Sequence, residues 1–300
     1  MGTMRVPLRL SPGDALTCYS APMIAAPDAK PVRVVGVLNV TPDSFSDGGR
    51  FTDLNSALVQ ARRLIADGAD MIDIGGESTR PGAAPVSEAD EIARVTPVIA
   101  ALSTETATPI SVDTMKPAVA RAAMAAGATI WNDVSALRHA PDSLATATEL
   151  GCEVVLMHMQ GEPGTMQAEP YYDDVVAEVA DFLAGRAEAA LAAGVERGRI
   201  WVDPGIGFGK HMIRHNLPLL AGLERIVALG FPVMLGVSRK GFIEALDGGS
   251  RRADARLGGS LAGALAGAAA GVAAVRVHDV RETVQALRVW TAIAQAGRSG

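Results

Sequence analysis

The feature that most limits what this 300-residue chain can become is an alternation that runs from end to end. Short apolar runs rich in Val and Ile recur, and each passes into a polar loop and then a stretch with helical spacing. The first run, residues 32–37, is β-branched and unbroken, which suits a strand buried on both faces. At Asn39 the character changes to Thr41, Pro42, Asp43, Ser44, Ser46 and Asp47. A helix follows over 53–67, opened by Asp53 and stopped by Gly68. The pattern then repeats, with strands expected at 71–74, 109–112, 129–131, 153–157, 199–202, 232–237 and 273–277. Helices are expected at 87–102 (opened by a Ser87–Asp90 capping-box pattern), 117–126, 142–150, 173–193, 216–229, after Arg256, and from 279 or 280 to 296. Eight strands, each followed by a helix, at this length predict a closed (β/α)8 TIM barrel. The rival is an open doubly wound sheet, which would place a glycine fingerprint at the first helix. Here the alternating Gly205, Gly207 and Gly209 lie behind the sixth strand instead. Residues 1–31 read as an irregular lead-in, and 32–297 as a single barrel domain.

Composition removes some functions. A net charge of −6 argues against a general nucleic-acid binder or a membrane-surface protein. Residues 257–275 carry no charge, yet they are mostly Ala and Gly, so their transfer into lipid would be poor. Gly259, Gly263, Gly267 and Gly271 recur every four residues and give that helix one smooth face, which could dimerise in lipid or pack closely on a soluble neighbour, and the soluble packing is expected. Cys18 and Cys152 lack metal or redox spacing, and no basic segment followed by an apolar run opens the chain, so a reduced, cytoplasmic protein is expected.

In a barrel the C-terminal strand ends converge on one face. Those ends are Asn39, Asp73, Asp113, Asn132, His158, Asp203, Ser238 with Lys240, and Arg276 with His278. Single members have ordinary readings: Asp113 and Asp133 as helix caps, Asp203 before Pro204 as a turn former, Lys240 as a solvated cation. The whole set is not explained by capping. Asp113, Asn132 and Asp203 suit an aminopyrimidine edge, whose adjacent N–H donors a carboxylate takes in pairs. Arg276 and His278, two apart on a strand, share a face and suit an anionic leaving group. Asn39 suits Mg²⁺, which takes few protein ligands when phosphates supply the others.

With these residues in view, NVTPDSFSDGG at 39–49, GGESTRPG at 75–82, SVDT at 111–114, NDVS at 132–135, MHMQGEPGTMQ at 157–167, DPGIGFGK at 203–210, SRK at 238–240 and RVHD at 276–279 resemble the dihydropteroate synthase family. The resemblance runs in order from about 32 to 296. It implies a barrel that joins 6-hydroxymethyl-7,8-dihydropterin diphosphate to 4-aminobenzoate, releasing pyrophosphate, with sulfonamides as mimics of the aminobenzoate. It implies Asn39 as the Mg²⁺ ligand, and Asp113, Asn132, Asp203 and Lys240 around the pterin, with Asp73 and Met157 lining the same pocket. Thr79, Arg276 and His278 would contact the diphosphate. Phe45, Arg80, Pro81, Phe208 and Ser238 would form the aminobenzoate site, and Asp47 would assist the amine from a lid formed by the first loop. It further implies a homodimer, for which the glycine face of the helix after Arg256 is the expected surface. Two other readings share many of these residues: a silent pterin-binding paralogue, and a pterin-dependent methyltransferase on the same barrel. One departure stands out at 211–214, HMIR, which looks one residue longer than the family spacing and would reshape the loop around Phe208.

Overall fold

The computed structural model describes residues 31–41, 50–78, 84–162, 164–249 and 252–297. The lead-in before residue 31, Phe45, Asp47 and the lid expected around them, and Thr79, Arg80 and Pro81 lie outside those residues. Among the described residues there are eight strands: β1 (Arg33–Asn39), β2 (Met71–Gly75), β3 (Ile110–Asp113), β4 (Ile130–Asp133), β5 (Glu153–Met157), β6 (Ile200–Asp203), β7 (Met234–Leu235) and β8 (Ala274–Val277). They pair in parallel in the order β6-β5-β4-β3-β2-β1-β8-β7, and a parallel bridge between Val202 and Val233 joins the two ends. The sheet is therefore closed, and the fold is the (β/α)8 barrel.

The helices are α1 (Arg50–Ala66), α2 (Glu88–Glu105), α3 (Pro117–Ala125), α4 (Ser143–Leu150), α5 (Val175–Ala193), α6 (Asn216–Ala221), α7 (Leu223–Val227), α8 (Gly241–Asp247), α9 (Leu257–Ala270) and α10 (Val280–Ala296). Local chemistry sets several ends. Ser87 caps α2 by accepting from the Asp90 N–H, but Asp90 answers to the Ser87 hydroxyl rather than to its backbone, so the box is half formed. Asp174 caps α5 through the N–H groups of Val176 and Ala177, and Gly194 ends it in the left-handed region. The single helix expected over 216–229 breaks at Gly222, where a Cβ would meet Val176 of α5 at 2.7 Å.

Strand alternation divides the core in two. Val34, Leu38, Ile72, Val112, Trp131, Leu156 and Val202 face outward against the helices. Val35, Met71, Ile130, Val155, Trp201, Met234 and Ala274 form a separate cluster that plugs the barrel interior. Every second residue beyond that plug must also face inward, and this places the site.

The glycine stripe of α9 turns inward rather than out. A Cβ at Gly259 would meet Ile243 at 2.4 Å, at Gly263 Val237 at 3.0 Å, and at Gly267 Leu235 at 2.5 Å. Gly259, Gly263 and Gly267 thus pack on the chain's own α8, Val237 and β7, as the close-packing reading expects, while Gly271 at the helix end stays exposed. Among the described residues no helix is long and apolar enough to cross a membrane.

Candidate active site

Strand register sets the site in layers. Asn39 pairs with Gly75, Gly75 with Asp113, and Asp113 with Asn132, so these residues form one row at the C-terminal rim. Asp203 lies beside Met157 on the far side. Asn39, Asp113, Asn132, Met157 and Asp203 line a cavity of about 620 Å³ with Phe208, Ser238, Lys240, Arg276 and His278. Met157, Val134, Met159 and Met166 pack into one apolar wall, with Phe208 against them.

Arg276 is rooted lower, at the level of Val35, and its side chain climbs the inside of the barrel. There it donates to Asp73 at 2.5 Å and to Asp113 at 2.7 Å, while Asn132 Nδ2 donates to the same Asp73 oxygen at 3.1 Å. Burial works against the guanidinium charge, but Asp73 and Asp113 outweigh it and hold the cation. Burial also pushes the Asp113 carboxyl up to about 7, against the pull of Arg276 and with help from Asp73. Asp203 is raised by burial too, although its Oδ1 accepts from the Gly205 N–H at 2.7 Å. The turn reading of Asp203 therefore holds alongside its place in the cavity wall.

Lys240 is lowered to about 8 by burial, with Asp203 opposing, and its Nζ stands 4.2 Å over the Phe208 ring. Burial, then the Arg276 and Arg239 cations, push His278 down to about 3, so its ring is neutral in the free protein. The His278 N–H donates to Ser238 Oγ at 3.2 Å, and His278 Nδ1 lies 3.1 Å from the same oxygen. The site is thus a charge-dense bowl. Its donors and acceptors suit a flat heterocycle with N–H groups on one edge and an anion at one end.

Comparison with known proteins agrees with this geometry. Residues 35–278 match the model of the pterin binding enzyme family. The dihydropteroate synthase of Streptococcus pyogenes is 47% identical over 256 residues, which are 85% of this chain and 93% of that protein. The chain belongs to the dihydropteroate synthase family. The solved Xanthomonas albilineans dihydropteroate synthase with 4-aminobenzoic acid superposes with a TM-score of 0.82 at 51% identity, covering 88% of this chain and 93% of that one. A structure of that organism's synthase in complex with 7,8-dihydropteroate gives 0.80 at 48% identity, with 88% and 94% covered.

Measured against the sequence expectations, the enzyme gathers Asn39, Asp113, Asn132, Met157, Asp203, Phe208, Ser238, Lys240, Arg276 and His278 around one cavity. Two expectations need correction. Asp73 does not line the cavity surface; it is fully buried, one layer below the rim, and acts on the site through Arg276 and Asn132. His158 does not reach the bowl either. Strand alternation turns it outward between Met157 and Met159, where it meets Phe182 and Tyr172 and approaches Lys210 Nζ at 2.8 Å through Nδ1. The cap reading of Asp133 is close to the truth: its two oxygens accept from the N–H groups of Ser135 and Leu137.

Sequence reasoning missed Lys210 as a structural group. It is fully buried, and its Nζ donates to the carbonyls of Gly205 at 3.0 Å and Phe208 at 3.1 Å, tying down the loop behind β6. The signal was there: it is one of only four lysines in the chain and ends the glycine-rich loop. Gln167 was quoted only within a motif, yet it lines the cavity and donates to the Gly207 carbonyl. The 211–214 segment is stapled to itself, with His211 Nδ1 accepting from the N–H groups of Ile213 and Arg214. Its Met212 lines the cavity.

Proposed function

We propose that this chain condenses 6-hydroxymethyl-7,8-dihydropterin diphosphate with 4-aminobenzoate, and that the residues divide the work by depth in the barrel. The observation that carries the reading is one cavity that combines Asp113, Asn132, Asp203 and Lys240 with Arg276 and His278. The aminopyrimidine edge of the pterin resembles a guanidinium, and Asp113 and Asp203 would accept from it, with Asn132 and Lys240 completing the ring contacts. The diphosphate would lie toward Arg276 and His278. His278 would contribute a ring N–H hydrogen bond rather than a standing charge, because its imidazole is neutral in the free protein. Phe208 and Ser238 would meet the aminobenzoate, together with Phe45, Arg80 and Pro81. Thr79 we assign to the diphosphate and Asp47 to the incoming amine.

The donor set fits Mg²⁺ in one way. Asn39 faces into the cavity, and its side chain has no hydrogen-bond partner among the described residues. Among those residues no group of three or more His, Cys, Asp or Glu could hold a metal. One amide oxygen, with the diphosphate supplying the rest, suits a hard cation that keeps few protein ligands. Bound there, Mg²⁺ would neutralise charge on the leaving diphosphate.

The reaction breaks the methylene C–O bond, and pyrophosphate leaves with the electron pair. The electron-rich dihydropterin delocalises the positive charge left on carbon. The arylamine nitrogen then forms the new C–N bond and loses one proton. A weakly basic arylamine needs little deprotonation first, so the chain contributes positioning and fixed charge more than proton transfer.

The test is direct. Purified protein with both substrates and Mg²⁺ should form 7,8-dihydropteroate, and no product would dismiss the reading in favour of a silent pterin binder. Methyl transfer from methyltetrahydrofolate, assayed in parallel, should be absent. We further place the enzyme in the cytoplasm, a setting consistent with the buried free thiol of Cys152, and as a homodimer on a face other than the α9 stripe.

A further inference from the structure

Lys240 and His278 stand on neighbouring loops that the sheet does little to align. β7 is two residues long, and its ladder with β8 ends at Leu235 opposite Val275. Ser238, Arg239 and Lys240 lie three to five residues beyond that last pair. Something else must hold Lys240 in register with Arg276 and His278.

The substitute is a set of side-chain links. Arg239 sits at φ +60, a conformation non-glycine residues seldom adopt, between two residues, Ser238 and Lys240, that line the same cavity. Its Nε donates to Asp279 Oδ2 at 3.1 Å and its Nη2 to Asp279 Oδ1 at 2.5 Å, a paired contact to the residue after His278. The Arg239 N–H donates to Ser260 Oγ at 2.9 Å, and Arg256 Nη1 donates to the Arg239 carbonyl at 3.0 Å. Asp279 precedes α10 but makes no side-chain cap bond, so its carboxylate is committed to Arg239. A strained backbone is tolerated only where its surroundings over-determine it, and here they do.

We propose that the Arg239–Asp279 pair is a positioning pair, which carries the order of β8 across to the short β7 and fixes the distance between Lys240 and His278. This rests on the functional reading above, since it assigns those two residues to one substrate. Neither member of the pair needs to touch that substrate. The pair acts chiefly through Lys240 and His278, so its loss should fall more heavily on the pterin diphosphate than on the aminobenzoate, which Ser238 of the same turn would meet.

Arg239→Gly removes the guanidinium but keeps a residue at home at positive φ, and Asp279→Asn removes the charge without deleting a cap. Each should lower kcat/KM for the pterin diphosphate about tenfold or more, as small misplacements do. KM for 4-aminobenzoate should change by clearly less, since of its proposed contacts only Ser238 stands on this turn. The double variant should be no worse than the weaker single, because partners in one unit are not additive. Arg239→Lys should recover only part of the loss, for it cannot make the paired contact. A second readout is independent of turnover. Arg276, Arg239, Lys240 and Asp279 all act on the His278 ring. Its titration, followed by NMR, should move up in Arg239→Gly and down in Asp279→Asn. Losses that multiply in the double variant, losses equal on both substrates, or an unmoved His278 would overturn the proposal. A wild type that makes no dihydropteroate would instead overturn the functional reading, and the His278 titration would still judge the pair.

Discussion

Lys240 holds a charge that burial makes easy to lose, and Asp113 holds a proton that burial makes hard to lose. With Lys240 near 8 and Asp113 near 7, the form suited to the pterin contacts we propose has the lysine charged and the carboxylate ionised. Below about 7 Asp113 gains a proton and stops accepting, and above about 8 Lys240 loses one. We therefore expect a bell-shaped kcat/KM for the pterin diphosphate with limbs near those values. Lys240→Arg should erase the alkaline limb in whatever activity it retains, because a guanidinium does not titrate there; an unchanged limb would clear Lys240 of that role. Lys210 poses a question of stability instead. Burial lowers its pKa well below the ordinary value, with Asp203 opposing, yet its Nζ serves the Gly205 and Phe208 carbonyls and His158 Nδ1. Lys210→Met would strand those acceptors at about 1–3 kcal/mol each. Urea unfolding should show a loss of about 3 kcal/mol or more; a loss under about 1 kcal/mol would mean that water replaces the ammonium. At this scale the sequence made strand-end residues such as Asp113 and Asn132 legible, because two-residue periodicity and a polar break mark them. It could not show that Arg276 meets Asp73 and Asp113, which lie 203 and 163 positions away in the chain. His158 was legible as a strand end, but its phase, one residue past the inward-facing Met157, was the information that mattered.

Among elements, α9 shows how a helix poor in intrinsic propensity can still be required. Glycine inside a helix costs about 1 kcal/mol relative to alanine. At Gly258 a Cβ would meet nothing within 4 Å, so Gly258→Ala should stabilise the enzyme by up to about 1 kcal/mol. At Gly267 the same methyl would lie 2.5 Å from Leu235 Cδ2, on the strand that holds the SRK loop. Overpacking of that kind costs about 1–3 kcal/mol, enough to cancel or reverse the propensity gain. Chemical denaturation of the two variants should therefore give opposite signs, and equal gains would mean that α9 does not press on β7. The four-residue glycine period was plain in the sequence; the partner it serves was not, because β7 and α8 are reached only through tertiary packing. For the same reason α8, seven residues long, left no readable period, and Gly222 broke a helix whose apolar pattern runs on unbroken. The eight-fold alternation survived these local departures because barrel closure depends on strand number and order more than on where each element ends.

For the molecule as a whole, α10 leaves two apolar side chains uncovered on one face, whereas among the described residues the exposed Val59 and Leu246 stand on other helices. Val289 and Ile293, four residues apart on one face, are 56% and 67% exposed, whereas the opposite face buries Val280, Thr283 and Leu287 against the barrel. Residues at i and i+4 make a stripe, and exposed apolar stripes on a well-packed barrel mark interaction surfaces. With Gly259, Gly263 and Gly267 already packed on the chain's own elements, this stripe is the better candidate for the homodimer we propose. In a two-fold interface each residue is used twice, so one substitution acts at two places. Burying a large apolar side chain is worth about 1.5–3 kcal/mol, and Ile293→Glu would forfeit that twice and add a like-charge approach. The dimer dissociation constant should rise by about 100-fold or more, which sedimentation velocity at micromolar protein would record as a shift toward monomer. Ile293 lies far along α10 from the end that carries Asp279, so the variant's turnover should match the wild type. An Ile293→Glu protein that still sediments as the wild type does would place the contact between copies elsewhere on the barrel.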